Sequence, residues 1–161
     1  MALDIRKGLH GASFPSKVAS SCGQYGHIFN TVVTDDAIDN GSLCAKGDYV
    51  SFDQYEQDAL EASDVVTGEI IDQDANGYWY VEFKTLPDKV VLYMYNSPVS
   101  EYSERDLQVE ALFYNEKNDV VQGMMLMETD VAEYSAESFT GTPAKGKAVE
   151  YDVATNKWVV Q

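Results

Sequence analysis

The chain has 161 residues, 45% hydrophobic and 24% charged, the profile of one folded domain with room for a core and not of a disordered tail. Its 27 acidic against 11 basic side chains leave a formal net charge of −16, a field that repels a phosphate backbone and an anionic membrane alike. Neither nucleic acid nor membrane is an expected partner, and no apolar run approaches the roughly 18 residues that span a bilayer.

The first residues, MALDIRKG, lack the apolar stretch and cleavage site of a secretory signal, so the chain is expected to be made in a reducing cytoplasm. Cys22 and Cys44 are then read as free thiols; a single bridge between them stays open, because spacing alone does not bring them together. Residues 8 to 30, GLHGASFPSKVASSCGQYGHIFN, combine adaptable Gly and Ser with spaced apolar anchors at Leu9, Phe14, Tyr25 and Ile28. Pro15 discourages helix and favours an extended path, and Arg6, Lys7 and Lys17 make this the one locally basic stretch. Residues 1–30 are therefore expected to form an extended N-terminal arm and 31–161 a single β-rich domain; an arm folded back on its own barrel is the alternative.

Beyond the arm, short runs rich in Val, Ile, Tyr, Phe and Trp follow one another: 27–34, 47–52, 64–71, 77–83, 89–95, 109–115, 119–127, 147–153 and 157–161. Gly, Asn, Asp or Pro punctuate the gaps, which predicts an all-β fold, a small antiparallel barrel or sandwich. Asn76-Gly77 predicts a type I′ hairpin, and turns at NEKN and ATNK predict two more. Helical signal is confined to 53–64, with Asp53 as N-cap and a narrow apolar face of Tyr55, Ala59, Leu60 and Ala62, and to single turns within 101–108 and 132–139.

Few residues are arranged for chemistry. DQDANG at 72–77 starts like a calcium loop with Asp72, Asp74 and Asn76, but Phe83 stands where the closing Glu belongs, so a polar hairpin tip is the simpler reading. His10, His27, Cys22 and Cys44 match no zinc spacing, and neither histidine lies in a catalytic motif. GTPAKGK at 141–147 lacks the strand and helix of a phosphate loop and reads as a turn into the last hairpin. No enzyme, metal or cofactor is expected. Eleven Tyr exceed what a small core requires, so part of that surface is expected in interfaces.

Three segments, DNGSLCAKGDYVSF (39–52), FYNEKNDVVQGMMLMETDVAEYSAESFTG (113–141) and TPAKGKAVEYDVATNKWVV (142–160), together resemble the capsid decoration, or auxiliary head, proteins of tailed bacteriophages. The chain departs from that pattern at Cys44, at Asn118 where Gly is usual, and at Gln122 where a basic residue is common. The resemblance implies a non-catalytic virion protein on the capsid exterior that binds the major capsid protein, with Leu9, Phe14, Pro15, Tyr25 and Ile28 of the arm as docking residues. A homo-oligomer and a bound head fibre are further partners it allows. The competing reading is a carbohydrate-binding or host-attachment module, or a head-fibre base, using the aromatic runs at 78–80 and 93–95.

Overall fold

In a computed structural model of the chain, the residues described are 2–4, 10–18, 28–97 and 113–161. They form fifteen strands: β1 (Ala2–Leu3), β2 (Ser13–Lys17), β3 (Ile28–Val32), β4 (Ala37–Ile38), β5 (Leu43–Tyr49), β6 (Gln54–Asp58), β7 (Thr67–Gln73), β8 (Trp79–Thr85), β9 (Val91–Tyr95), β10 (Phe113–Glu116), β11 (Val120–Met125), β12 (Val131–Tyr134), β13 (Phe139–Thr140), β14 (Ala148–Asp152) and β15 (Lys157–Val160). Among the described residues a single 3-10 turn, Ala136–Ser138, interrupts them within the 132–139 segment where a turn is expected. The fold is all-β, as the spacing of the apolar runs predicts.

Two layers carry the architecture: a closed five-stranded barrel, β11-β3-β6-β5-β9, and a seven-stranded sheet, β13-β15-β14-β7-β8-β12-β2. A small sheet, β1-β10-β4, stands beside them. Pairing is antiparallel except where β3 meets β6 and β13 meets β15.

The core follows from the two-residue period of a strand, which sends successive side chains to opposite faces. In β9, Val91 and Tyr93 join the core that includes Val81, Phe83, Tyr134 and Trp158 of the large sheet. Leu92 and Met94 point the other way, into a second cluster with Cys44 and Val121. A strand buried on both faces reads as a continuous apolar run, which is what VVLYMY is. β5 divides in the same way, Leu43 and Ala45 to the sheet and Cys44 to the barrel cluster.

Three expectations give way to tertiary pairing. Residues 54–58 are a strand, not a helix, because their backbone closes the barrel between β5 and β3. Buried Gln57 reinforces this: its Oε1 accepts from Thr34 N at 3.0 Å and its Nε2 donates to Asp35 Oδ2 at 3.0 Å. A narrow apolar helix face offers nothing comparable. The turn at 116–119 joins strands that do not pair with each other: β10 lies between β1 and β4, and β11 between β3 and β9. At the β7–β8 tip only Gly77 has positive φ (90°), and its N–H donates to Asp74 O at 3.2 Å. That is a type I turn closed by a left-handed glycine instead of the type I′ turn expected from Asn-Gly.

The described residues of the opening thirty are built into this body. β1 pairs with β10, β2 forms an outer strand on β12, and β3 is a barrel stave. Ala12 and Ser135 exchange hydrogen bonds at 2.8 Å, and Ser13 Oγ donates to Glu133 O at 2.7 Å. Small side chains here serve close packing against the sheet more than adaptability. Pro15 sits on the outer strand, where a missing N–H costs least.

Two outcomes test this packing. A Cβ on Gly123 would lie 2.6 Å from Thr31 Oγ1 and 2.9 Å from Leu92 Cδ1, both in buried residues, so Gly123→Ala is expected to lower stability by about 1–3 kcal/mol in urea unfolding. Burial raises the phenols of Tyr93, Tyr134 and Tyr151 above the ordinary 10.0. Above pH ~10 the unfolded chain therefore releases protons that the folded protein retains, and stability falls as pH rises, by about 1.4 kcal/mol per unit for each phenol. Absorbance at 295 nm should show these three ionising only as the protein unfolds, and their smooth titration in the folded state would contradict the assigned burial.

Candidate functional site

The least expected surface is one end of the barrel. β5 and β6 form a hairpin with Ala45 opposite Asp58 and Tyr49 opposite Tyr55, closed where Gln54 N donates to Ser51 O at 2.9 Å. The two residues between, Phe52 and Asp53, have φ of 50° and 61°. This is the left-handed pair that a tight hairpin requires and that Asn-Gly ordinarily fills. An aromatic side chain there costs folding free energy, of order 1–2 kcal/mol by the penalty for left-handed L-residues. Phe52 recovers none of it by packing, since it is 90% exposed.

Behind the tip lies a row of rings. Tyr49 packs edge-on against Tyr55 at 5.6 Å, and Tyr55 against Phe29 of β3 at 5.4 Å. The Lys46 ammonium sits 4.1 Å from the Tyr55 centroid and 5.3 Å from that of Phe29, a cation–π contact that holds its charge over the rings.

Register brings more apolar surface to this end. Ile28 opens β3 opposite Met124, Val90 O accepts from Lys46 N just before β9, and Met127 follows β11. Of the eight large hydrophobic side chains exposed among the described residues, Ile28, Tyr49, Val50, Phe52, Val90 and Met127 lie here; Val65 and Val120 lie elsewhere. Scattered exposed apolar residues need no explanation, but six gathered on one barrel end do. Exposed Asp48, Asp53, Asp88 and Glu128 lie among them, and Lys89, beside Val90, is paired with Asp64 at 2.7 Å.

A second arrangement tethers the chain's opening. His10 Nδ1 meets Asp39 Oδ1 at 2.7 Å, Gly11 N donates to Asp39 Oδ2 at 2.7 Å, and the imidazole stacks on Tyr114 at 4.6 Å. Asp4 Oδ2 lies 3.5 Å from Nε2, so two carboxylates flank the ring. Asn40 and Trp158 share with them the lining of a cavity of about 380 Å3. Asp39 fixes the orientation of the ring, and the cluster pins residues 10–12 to the turn before β5.

The other anticipated residues separate. Of the five docking residues, Leu9 and Tyr25 lie outside the described residues, as does Cys22. Phe14 is half-buried on Tyr78 (5.4 Å) and Tyr95 (6.5 Å), and Pro15 is half-buried beside it. Ile28 alone reaches the apolar barrel end. Asp74 Oδ1 accepts from Asn76 N and Tyr78 N, both at 2.8 Å, and Asp72 Oδ1 from Gln73 N at 2.9 Å. These carboxylates cap their own turn, and among the described residues no three His, Cys, Asp or Glu side chains converge to hold a metal ion. Of the aromatic runs, Tyr93 is fully buried and Tyr78, Trp79, Tyr80 and Tyr95 are half-buried. Cys44 is a free thiol whose burial, aided by Asp35 and Asp58, pushes its ionisation well up and keeps it inert.

The hairpin tip escapes sequence reading because 53–64 resembles a short helix. The usable signal is Tyr49, Ser51 and then Tyr55, Gln57: two stretches of alternation on either side of Phe52-Asp53. The turn-capping role of Asp74 predicts that Asp74→Ala lowers stability by about 1 kcal/mol, with the same melting temperature in millimolar calcium and in chelator. A calcium-dependent rise in melting temperature that Asp74→Ala abolishes would reassign the loop. Comparison with protein-family models, with curated proteins and with solved structures finds no match for this chain.

Proposed function

We propose that the chain is a structural virion protein that binds the outer surface of a tailed-phage capsid and strengthens contacts between major capsid subunits. The observation that carries the reading is the gathering of six exposed apolar side chains at one barrel end, with the exposed carboxylates of Asp48, Asp53, Asp88 and Glu128 among them. Such a surface suits a protein partner: apolar anchors supply affinity at the centre of a contact, and rim charges set orientation and approach. A net charge of −16 keeps the free protein soluble and steers it to basic ground. The resemblance of residues 39–52 and 113–160 to capsid decoration proteins supports the same reading.

Docking is assigned to the barrel end and not to a free N-terminal arm, because residues 10–18 are committed to the body by the bonds of Ala12, Ser13 and His10. The protein would then be made in the host cytoplasm and reside on the capsid exterior. The opposite barrel end, near Val120, is left for a second copy or a head fibre.

Sedimentation of the purified full chain with capsids stripped of accessory proteins tests this. Saturable binding is expected, weakened about tenfold or more by the pair Val90→Lys and Met127→Lys, whose loop positions leave the fold intact by circular dichroism. Val120→Lys, at the other end, should bind as the unaltered protein does. Absence of saturable binding at any salt concentration would overturn the proposal.

A further inference from the structure

We propose that Phe52 is a preformed anchor that inserts into an apolar pocket for an aromatic side chain on the partner protein, and that Lys or Arg side chains rim this pocket. The inference deepens the docking reading above and rests on it for the identity of the surface bound.

The first argument is the mismatch between the residue and its place. Phe52 stands in the first left-handed position of a two-residue turn, where a side chain without Cβ branching or bulk is favoured, and it is the most exposed large apolar side chain among the described residues. Its own fold gains nothing from the ring. Strain of this kind persists where the surroundings enforce it, and it concentrates at clamps and binding sites.

The surroundings here do enforce it. Val50 N donates to Gln54 O at 2.8 Å and Gln54 N to Ser51 O at 2.9 Å, bracketing the turn on both sides. Asp53 N donates to Tyr49 Oη at 3.4 Å, and the Tyr49 ring rests on Tyr55, itself held by Phe29 and Lys46. An anchor held this way is already ordered before contact, so binding loses little entropy at the tip. Isolated aromatic anchors in desolvated pockets are the side chains that dominate interface energetics.

Charge selects the occupant. Near the tip, Asp48 and Asp53 are exposed, while the hairpin's only cation, Lys46, is drawn over the rings. A second copy of the chain would meet this tip with the same negative charge, and each copy carries −16 overall. A basic rim complements it and makes association fall with salt across the range where the screening length shrinks from about 10 Å to about 3 Å.

The test compares Phe52→Gly and Phe52→Trp with the unaltered chain, by thermal melting, sedimentation equilibrium and pelleting with capsids stripped of accessory proteins. Phe52→Gly relieves the turn, so its melting temperature should rise by a few degrees while capsid binding weakens at least about tenfold. Phe52→Trp should retain binding, with a blue shift of the added indole emission on the capsid. A lower melting temperature for Phe52→Gly would make the ring a structural element and overturn the anchor. Equal binding by Phe52→Gly and the unaltered chain would overturn the anchor and leave the capsid reading standing. Failure of the unaltered chain to pellet would overturn the capsid reading and this assignment with it, and a concentration-dependent dimer lost in Phe52→Gly would replace the basic partner with a second copy.

Discussion

Three buried phenols hold the two layers of this protein in one arrangement. Tyr151 of the large sheet accepts from Leu43 N of the barrel at 2.9 Å, Tyr134 of the sheet donates to Gly41 O at 2.9 Å, and Tyr93 of the barrel pairs with Ser13 Oγ of the sheet at 2.7 Å. Each ring buries a large apolar area in the shared core, and each hydroxyl must find a partner there because water is excluded. Apolar packing alone tolerates sliding. A hydroxyl confined to one fixed partner, a backbone N–H, a carbonyl or the Ser13 hydroxyl, does not, so these bonds fix the sheet against the barrel.

That constraint reaches the rest of the molecule. With Gly41 and Leu43 pinned, β5 leaves the core at a set height and projects its last residues beyond β9, where it turns back as β6. Ser13 draws β2 onto β12, and His10 and Gly11 follow to the Asp39 carboxylate. Asn40 extends the same anchoring, with Nδ2 donating to Asn96 O at 2.8 Å and Oδ1 accepting from Asn115 Nδ2 at 3.1 Å. The barrel end is therefore displayed from a rigid base. A body stabilised by so much burial can carry a strained, exposed turn at its surface, and the proposed docking role draws on that reserve.

Much of the fold is legible in the amino-acid order where local chemistry and tertiary demand agree. GYWYVEF and KAVEYDV alternate or run apolar as half-buried and buried strands do, and the turns at 74–77 and 153–156 return the chain on itself to give β7–β8 and β14–β15. Agreement fails where a segment's partner lies far away in sequence. Residues 54–58 are polar enough to pass for a helix, yet their backbone meets β3 more than twenty residues earlier; NEKN looks like a hairpin turn, yet β10 and β11 part to different sheets. The candidate docking surface falls in this second class, since Ile28, Tyr49, Phe52, Val90 and Met127 meet only through the register of the barrel.

By itself, then, the sequence determined that the chain would be all-β, acidic and rich in strands closed by Asn, Asp and Gly turns, because strand period, charge and turn conformation are properties of a few adjacent residues. Only the tertiary structure decided which strands close the barrel, that three tyrosines join the two layers, and that six of the exposed apolar residues share one end. Those outcomes depend on pairings between distant segments, whose free energy no local pattern encodes.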